Sequence, residues 1–317
     1  MKQKLIKSKS IVIYGFGRMG LTHYAILNQL IENADVTIVD LNKKVNFIAR
    51  KNVSAKLKTE ISNTHKPFDI ALICTPPMFH VSTAEACLKR GDKTIFVEKP
   101  FGGVNEDYSF IEEHSDKVKI GFVMRFLPVV NWIKQNVSVD QIVQFKGSYF
   151  SNTIEKKPKG WRNGKYSGVT NEMGSHILDL AVFLLGIKDF QVSNKKIESV
   201  VSDVDDIVSF ELTANDILCE FNFDWVNKNY RKPVFNLELI LKDGNYYKVD
   251  QQKIELFDNN GKLLNKITAV DLTTSVPYYL RGVEFTNQMQ DLISEQKTLA
   301  SVEEALVTRK IIKNILD

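Results

Sequence analysis

Lys99 lies at the end of an apolar run in the sequence TIFVEKPFGG (residues 94–103), where a buried strand would be expected to run into a turn. The run meets two opposite charges, Glu98 and Lys99, directly before Pro100. In a doubly wound parallel sheet, ligands bind beyond the carboxyl ends of the strands. A partly desolvated lysine delivered to that edge is suited to exchanging a proton with a substrate. The alternative is a surface lysine at a strand end.

Glu172 and His176 form a second pair with chemical potential, four residues apart in NEMGSHILDL (171–180). Residues at this spacing are neighbours on one face of an α-helix, and Asp179 follows three residues later. The spacing predicts an acid and an imidazole directed at one substrate. A pair that only caps the start of the helix is the alternative. Tyr166, in the loop before the helix, either reaches the substrate or packs.

Three glycines in IVIYGFGRMG (11–20) form a G-x-G-x-x-G pattern between a strand-like and a helix-like segment. Gly15 permits a tight turn, Gly17 lets a pyrophosphate approach the backbone, and Gly20 allows close packing of helix on strand. Asp40 ends the next predicted strand, where a carboxylate would bind ribose hydroxyls. The pattern predicts a dinucleotide site; a glycine-rich turn in another kind of α/β protein is the alternative.

The charge at residue 40 bears on the choice of cofactor. A carboxylate there accepts hydrogen bonds from ribose and repels a 2′-phosphate, which favours NAD over NADP. The residues that follow, Asn42, Lys43 and Lys44, leave NADP open.

These residues need two kinds of scaffold. Strand-like and helix-like patterns alternate along the first part of the chain, which is typical of a parallel sheet with crossover helices. From residue 190 to 267 the hydrophobic pattern has period two and is broken by turn signals, which indicates antiparallel strands. Two helices follow, at 278–293 and 301–316, and Ser301 with Glu304 predicts a capping box on the second.

The predicted fold class is therefore an α/β Rossmann-type doubly wound parallel sheet plus an α+β domain with a large, mainly antiparallel open sheet. Residues 1–122 are predicted to bind the dinucleotide, and residues 123–317 to bind substrate and mediate oligomerisation.

Composition excludes several other classes of protein. The chain has 317 residues, of which 44% are hydrophobic and 25% charged, as in globular proteins with more than one domain. A net charge of +4 with dispersed lysines does not predict a nucleic-acid surface. Three scattered cysteines predict neither a metal site nor disulfides. The longest apolar runs are too short to span a membrane, and we expect a cytoplasmic protein.

The motifs, in their order, resemble the Gfo/Idh/MocA family, named after glucose-fructose oxidoreductase and inositol dehydrogenase. The sheet-rich final third matches only in texture. The landmarks are GFGRMG (15–20), ICTPPMFH (73–80), VEKPFGG (97–103), GFVMRFLP (121–128), GWR (160–162) and GSHILDL with LLG (174–186).

The resemblance implies an NAD(P)-dependent dehydrogenase or reductase acting on the CH–OH or C=O group of a sugar, cyclitol or sugar derivative, including nucleotide sugars. In this family the residue matching Lys99 exchanges the proton of the reacting hydroxyl, and Pro100 is often cis. The residue matching His176 hydrogen-bonds the same hydroxyl. The acid four residues earlier is commonly aspartate; here it is Glu172, which puts its role in doubt.

The remaining predictions concern ligands and assembly. A homodimer or homotetramer is expected, because relatives pair through the open sheet. The alternative function is a catalytically silent, nucleotide-sensing regulator or scaffold of the same fold. The predicted cofactor-binding residues are Gly15, Phe16, Gly17, Arg18, Met19, Gly20, Asp40, Thr75, Pro76, His80, Glu98 and Lys99. The predicted substrate-binding residues are Lys99, Arg125, Trp161, Arg162, Tyr166, Glu172 and His176.

Overall fold

The chain divides into two compact units. The computed structural model describes residues 6–58, 60, 66–103, 105–164, 166–273, 280–294 and 297–317. The first unit comprises Met1–Phe126 with Ser275–Ala305, and the second Leu127–Thr274 with Leu306–Asp317.

The described strands and helices alternate in the first part of the chain and are followed by consecutive strands, as the sequence predicts. The strands are β1 Ile6–Tyr14, β2 Ile31–Val39, β3 Lys56–Lys58, β4 Ile70–Ile73, β5 Thr94–Glu98, β6 Val118–Gly121, β7 Ile142–Phe150, β8 Gln191–Glu198, β9 Ile207–Ala214, β10 Ile217–Asp224, β11 Val234–Leu241, β12 Tyr246–Val249, β13 Lys253–Phe257 and β14 Leu263–Thr268. The helices are α1 Arg18–Leu30, α2 Lys43–Asn52, α3 His80–Arg90, α4 Ser109–Glu112, α5 Pro128–Asn136, α6 Ser175–Leu185, α7 Ala269–Leu272, α8 Val283–Ser294 and α9 Val302–Leu316.

The first unit contains a parallel sheet whose described strands run in the order β3-β2-β1-β4-β5-β6. Its central strands are buried on both faces, so their sequences read as continuous apolar runs. The order reverses between β1 and β4, and ligands of such sheets bind at that point, beyond the carboxyl ends. The predicted doubly wound sheet is confirmed.

The second unit contains a sheet of order β14-β13-β12-β11-β7-β10-β9-β8 in the described chain. All its pairs are antiparallel except β10 with β7. Burial alternates along its strands, with one face packed and the other open. Helix α6, which follows Glu172, packs on the buried face at β7. The predicted antiparallel sheet is confirmed.

The boundary between the units differs in detail from the one read in the sequence. Residues 123–126 form a short helical turn that packs against α8, and α8 also packs on α1. Phe285, Met289 and Leu292 of α8 belong to the apolar core of the first unit. Residues 275–305 therefore group with the parallel sheet and not with residues 127–274. The division of roles between 1–122 and 123–317 stays a prediction.

The described residues also bear on membrane, metal and thiol chemistry. None of the described helices is long and apolar enough to cross a membrane. No group of three or more His, Cys, Asp or Glu residues among them could hold a metal ion. Cys87 and Cys219 are buried free thiols, and burial raises the pKa of each to about 12. The cytoplasmic location stays a prediction.

Candidate functional site

In the glycine turn between β1 and α1, the fold requires glycine at residues 15 and 20 but not at residue 17. Gly15 has φ +83°, and a Cβ there would lie 2.7 Å from the Cys74 carbonyl oxygen. A Cβ on Gly20 would lie 2.0 Å from the Gly15 carbonyl oxygen. A Cβ on Gly17 would meet nothing within 4 Å among the described residues. The backbone at Gly17 is thus open to a ligand at the amino-terminus of α1, as a pyrophosphate requires.

Asp40 is fixed beside this turn. Its Oδ2 accepts a hydrogen bond from the Phe16 amide at 2.8 Å, and its Oδ1 accepts one from the Asn42 amide at 2.7 Å. A carboxylate offers about four acceptor positions, so these two bonds leave lone pairs for the hydroxyls of a ribose. The half-buried side chain is oriented before any ligand arrives.

Thr75 supplies a second polar group at the same sheet edge. Its Oγ1 is buried and makes no hydrogen bond within the described part of the chain. Buried hydroxyls nearly always have a partner in native structures. A dinucleotide, with its ribose hydroxyls and phosphates, would supply one, so the residues present fit the cofactor that the glycine turn indicates.

Arg281 lies beside the glycine turn, and no sequence motif predicts this position. Its guanidinium lies 3.4 Å from the Met19 Sδ and 5.0 Å from the Phe285 ring centroid. Burial, and after it the like charge of Arg18, lower the pKa of Arg281. Two guanidinium groups thus lie near the positive end of α1. Arg281 lies far from the glycine motif in sequence, so local spacing gave no signal for it.

Glu98 points inward rather than toward an open site. Its side chain is 10% exposed, and its Oε1 lies 2.6 Å from Nε2 of the fully buried His23. Its Oε2 accepts the Lys99 amide at 3.3 Å. The peptide bond between Lys99 and Pro100 is cis, as the family resemblance implies, and Lys99 itself is half-buried. Both carboxylate oxygens of Glu98 contact groups of the protein, and a contact of Glu98 with the cofactor stays a prediction.

His80 joins the ends of two neighbouring strands. Its Nε2 lies 2.7 Å from the Thr75 carbonyl oxygen, and its Nδ1 lies 2.9 Å from the Pro100 carbonyl oxygen. Burial lowers the pKa of His80, and the two carbonyls oppose the shift. Both ring nitrogens face backbone oxygens, so the side chain holds the loop after β4 to the loop after β5. Its predicted contact with the cofactor stays a prediction.

In the second unit, Glu172 lies in a wider turn than the sequence predicts. Thr170–Gly174 is a π-helical turn, and regular α-helix begins only at Ser175. The single regular helix predicted for the Glu172–His176 pair is therefore wrong at its first turn. Ser175 Oγ bonds the Asn171 carbonyl, and such local bonds compete with the α-helical pattern. Such turns occur frequently at functional sites.

Three predicted substrate residues come together at this turn. Glu172 Oε1 accepts a bond from Ser167 Oγ at 2.6 Å, and its Oε2 lies 3.8 Å from Arg162 Nε. The Arg162 guanidinium lies 5.4 Å from the Trp161 ring centroid. Tyr166 and His176 are half-buried on either side of the turn. The loop and the helix start therefore present a carboxylate and a guanidinium side by side.

Asp205 anchors the segment that leads into the turn. Its Oδ2 accepts the Thr170 amide at 2.8 Å, and its carbonyl accepts the Val169 amide at 2.8 Å. Its carboxylate also fills the space where a Cβ of Gly168, with φ +104°, would lie. Burial raises the pKa of Asp205 to about 6.

Arg125 is not placed as a substrate ligand would be. The side chain is 1% exposed, and its guanidinium contacts both carboxylate oxygens of Glu304 at 3.0 Å. Glu304 also forms the predicted capping box with Ser301, because both reciprocal bonds are present. The structure therefore gives Arg125 a structural partner inside the first unit, and its predicted contact with substrate gains no support. The charge of Arg125 is balanced by an acid from the start of α9.

Comparison with known proteins agrees with this geometry. Residues 9–122 match the Gfo/Idh/MocA family, described as oxidoreductases with an NAD-binding Rossmann fold. No curated protein matches the chain.

Solved structures resemble the chain along almost its whole length. Levoglucosan dehydrogenase in complex with NADH is 17% identical, with a TM-score of 0.79 over 98% of this chain and 96% of that one. UDP-N-acetylglucosamine 3-dehydrogenase from Acidithiobacillus ferrooxidans is 16% identical, with a TM-score of 0.74 over 98% and 96%. GenD2 from gentamicin A biosynthesis, in complex with NAD, is 14% identical, with a TM-score of 0.77 over 98% and 94%.

At these identities the solved structures show a shared fold. The family match carries the assignment of the first unit, and it confirms the family that the motifs predicted. Over residues 9–122 the chain therefore matches a family of oxidoreductases whose members have an NAD-binding Rossmann fold.

Proposed function

We propose that this oxidoreductase transfers hydride between NAD and a CH–OH or C=O group of a sugar, cyclitol or sugar derivative. The observation that carries the proposal lies in the first unit. There, the glycine turn after β1, Thr75 after β4 and Lys99 after β5 share the carboxyl edge of one parallel sheet. This position supports a proton-exchanging role for Lys99, because ligands of such sheets bind at the carboxyl edge.

The chemistry divides between the cofactor and the protein. NAD, when bound in the cradle at Gly17 and Asp40, would supply the acceptor for the hydride of the carbinol carbon. Lys99 Nζ takes the proton that leaves the hydroxyl oxygen, and returns one in the reverse reaction. His176 hydrogen-bonds the substrate hydroxyl, and Glu172, held by Ser167 and beside Arg162, orients the substrate's polar groups. Asp40 holds the ribose and favours NAD.

The substrate class is supported by the solved relatives. Two of them are named as dehydrogenases of a sugar derivative, levoglucosan and UDP-N-acetylglucosamine. The Trp161, Arg162 and Glu172 group suits such substrates, because an indole face packs against sugar C–H groups and the charged groups bond hydroxyls.

We also propose that two copies pair through the open face of the second sheet. Charged residues in register cross seven of its strands, and their signs alternate over most of the row. They are Glu211, Glu220, Lys146, Glu238, Lys248, Glu255 and Lys266. A two-fold axis between β7 and β11 would set Lys146 of one copy opposite Glu238 of the other, so the face is complementary to itself.

The catalytic proposal is tested by replacing Lys99. The purified protein is mixed with NAD or NADP and a panel of sugars, cyclitols and nucleotide sugars, and reduced nicotinamide is followed by absorbance. We expect Lys99→Met to lose turnover by about 100-fold or more, the usual scale for a general acid–base residue. NAD binding should change little, because the cradle is intact.

The matched control is Lys93→Met, since Lys93 lies just before β5, at the opposite edge of the sheet, and pairs with Asp69. Full activity of Lys99→Met would overturn the mechanism. NAD binding without turnover across the panel would favour the catalytically silent, nucleotide-sensing alternative.

A further inference from the structure

His23 is buried in the core of the first unit, where its ring contacts another buried polar side chain. It lies on α1, three residues after Gly20, and none of its surface is exposed. Its Nε2 lies 2.6 Å from Glu98 Oε1, a short contact between two buried polar groups. Hydrogen bonds of this length to an ionised acceptor are among the stronger ones in proteins.

The direction of this hydrogen bond follows from the other ring nitrogen. Nδ1 of His23 is buried and has no hydrogen-bond partner among the described residues. A proton on Nδ1 would be a buried donor without an acceptor, which is unfavourable because the group loses its bond to water and gains none. The proton therefore belongs on Nε2, which donates to the carboxylate of Glu98. The His23–Glu98 pair then keeps the negative charge of the carboxylate.

That charge is felt by the groups at the carboxyl edge of the sheet. Burial raises the pKa of the Cys74 thiol just after β4, and the charge of Glu98 is the second cause of this shift. The same charge also opposes the lowering of the pKa of His80 and of Arg281 by burial. The carboxylate thus lies among several side chains of the candidate cofactor site, although it is itself turned to His23.

Glu98 joins His23 to the backbone of Lys99. Its second oxygen accepts the Lys99 amide, while His80 faces the carbonyl of Pro100. The Lys99–Pro100 step is held on its amide side by Glu98 and on its carbonyl side by His80. Of these two supports, the first depends on the rotamer of Glu98, and His23 fixes that rotamer.

We propose that His23 is a positioning residue for Lys99. By holding Glu98, it ties the backbone of the proposed acid–base lysine to the helix whose amino-terminus forms the phosphate cradle. The position of Lys99 relative to the phosphate cradle is thereby fixed. The inference rests on the acid–base role proposed above for Lys99.

A purely structural histidine would behave differently. The His23 ring lies 5.3 Å from the Phe96 ring in an edge-on contact, so the side chain also fills core volume. If packing were its whole role, leucine would replace it with a loss of stability alone. If it positions Glu98, leucine must also release the Glu98 carboxylate, whereas glutamine keeps an N–H donor near the position of Nε2.

The experiment compares His23→Leu with His23→Gln in the full-length protein. The first measurement needs no substrate: exchange of the Lys99 amide hydrogen, resolved by mass spectrometry with fragmentation. We expect His23→Leu to exchange this amide at least about threefold faster, the scale of one weak hydrogen bond. Amides of residues 95–97 should be unchanged, and His23→Gln should stay near wild type.

The second measurement separates catalysis from cofactor binding. With the most active substrate of the panel, His23→Leu should lower kcat by about 10-fold or more, because a small misplacement of a catalytic group is costly. The KM for NAD should stay within about threefold, and His23→Gln should recover most of kcat.

The outcomes separate this inference from the proposed function. Unchanged Lys99 amide exchange in folded His23→Leu overturns the inference whatever the activity. Full activity of Lys99→Met overturns the proposed function instead. A loss of melting temperature in His23→Leu, with exchange and kcat both at wild-type values, would reduce His23 to a packing residue.

Discussion

Several polar side chains at the carboxyl edge of the first sheet are held in place by the protein's own backbone and side chains. Asp40 accepts two amides, His80 faces two carbonyls, and Glu98 receives His23 and the Lys99 amide. Groups held in this way lose little conformational entropy when a ligand arrives. The edge is thus organised before cofactor binds, which suits a site where hydride and proton transfer need close alignment.

Arg281 permits a test of cofactor binding that does not depend on catalysis. Because Arg281 and Arg18 repel each other beside the cradle, an anion between or near them would relieve that repulsion. We expect Arg281→Leu to weaken NAD binding by about tenfold, within the range of charge-assisted hydrogen bonds. Binding is measured by titration calorimetry with NAD and with adenosine.

Adenosine provides the internal comparison, because it lacks the pyrophosphate and should bind both proteins equally. The matched variant is Arg231→Leu, which removes an exposed arginine from the second unit. Equal NAD affinity in Arg281→Leu and wild type would show that Arg281 contributes nothing to phosphate recognition.

Among the elements, the π-helical turn before α6 is unusual because a residue distant in sequence holds it in place. It is held by Asp205 from the loop before β9, and Gly168 must be glycine because the Asp205 carboxylate occupies the position of a Cβ. Glu172 is delivered by this turn, so its placement depends on a loop that is distant in sequence. Helical periodicity alone predicts α6 and its end at Gly186, but it cannot reveal the turn.

The raised pKa of Asp205 gives stability a definite dependence on pH. The pKa is about 6 in the folded protein and 3.8 ordinarily, so the folded state binds the proton more tightly. The stabilising contribution of protonation is fully present below about pH 4 and is lost as pH rises through about 6. Relative to Asp205→Asn, wild type should therefore gain thermal stability as pH falls from 7 to 4.5.

The measurement is the melting temperature of both proteins across that range. Other acids contribute equally to both, so the difference between them reports Asp205. Asp203→Asn is the control, because Asp203 lies at the surface and pairs with Lys157. A constant difference in melting temperature between wild type and Asp205→Asn at all these pH values would contradict the prediction.

At the scale of the whole molecule, the open face of the second sheet is the surface to test. Lys146 lies 3.9 Å from Glu220 and 3.8 Å from Glu238, and Lys248 lies 3.9 Å from Glu238. These solvent-accessible pairs contribute little to the stability of the fold by themselves. Because their signs alternate across the strands, these side chains can pair with the same row of charges on a second copy.

We expect Lys146→Glu to dissociate the homo-oligomer, because residue 146 and Glu238 of both copies would then bring four like charges together at the proposed two-fold axis. Sedimentation equilibrium measures the mass of wild type and variant, and circular dichroism confirms that both are folded. Lys9→Glu, a change outside this face, is the control. A wild-type protein that sediments as a monomer would refute the pairing.

The sequence predicts structure that is set by neighbouring residues. It does not predict contacts between residues that are far apart in the chain. The turn from β1 to α1, the capping box of Ser301 and the alternating strands follow from neighbouring residues, and each was predicted. The burial of Arg125 against Glu304 and the inward turn of Glu98 depend on contacts across 179 and 75 residues. The amphipathic pattern of α8 predicts that one face is buried, but it does not predict that the helix packs on α1.

The open space at Gly17 has a consequence for how this chain would change over generations. Its backbone, with φ −72° and ψ −162°, lies in a region that any residue can adopt. Selection for folding alone would therefore preserve residues 15 and 20 and let residue 17 drift. A descendant that had abandoned dinucleotides would first show it as a side chain at this one position, in an otherwise unaltered turn.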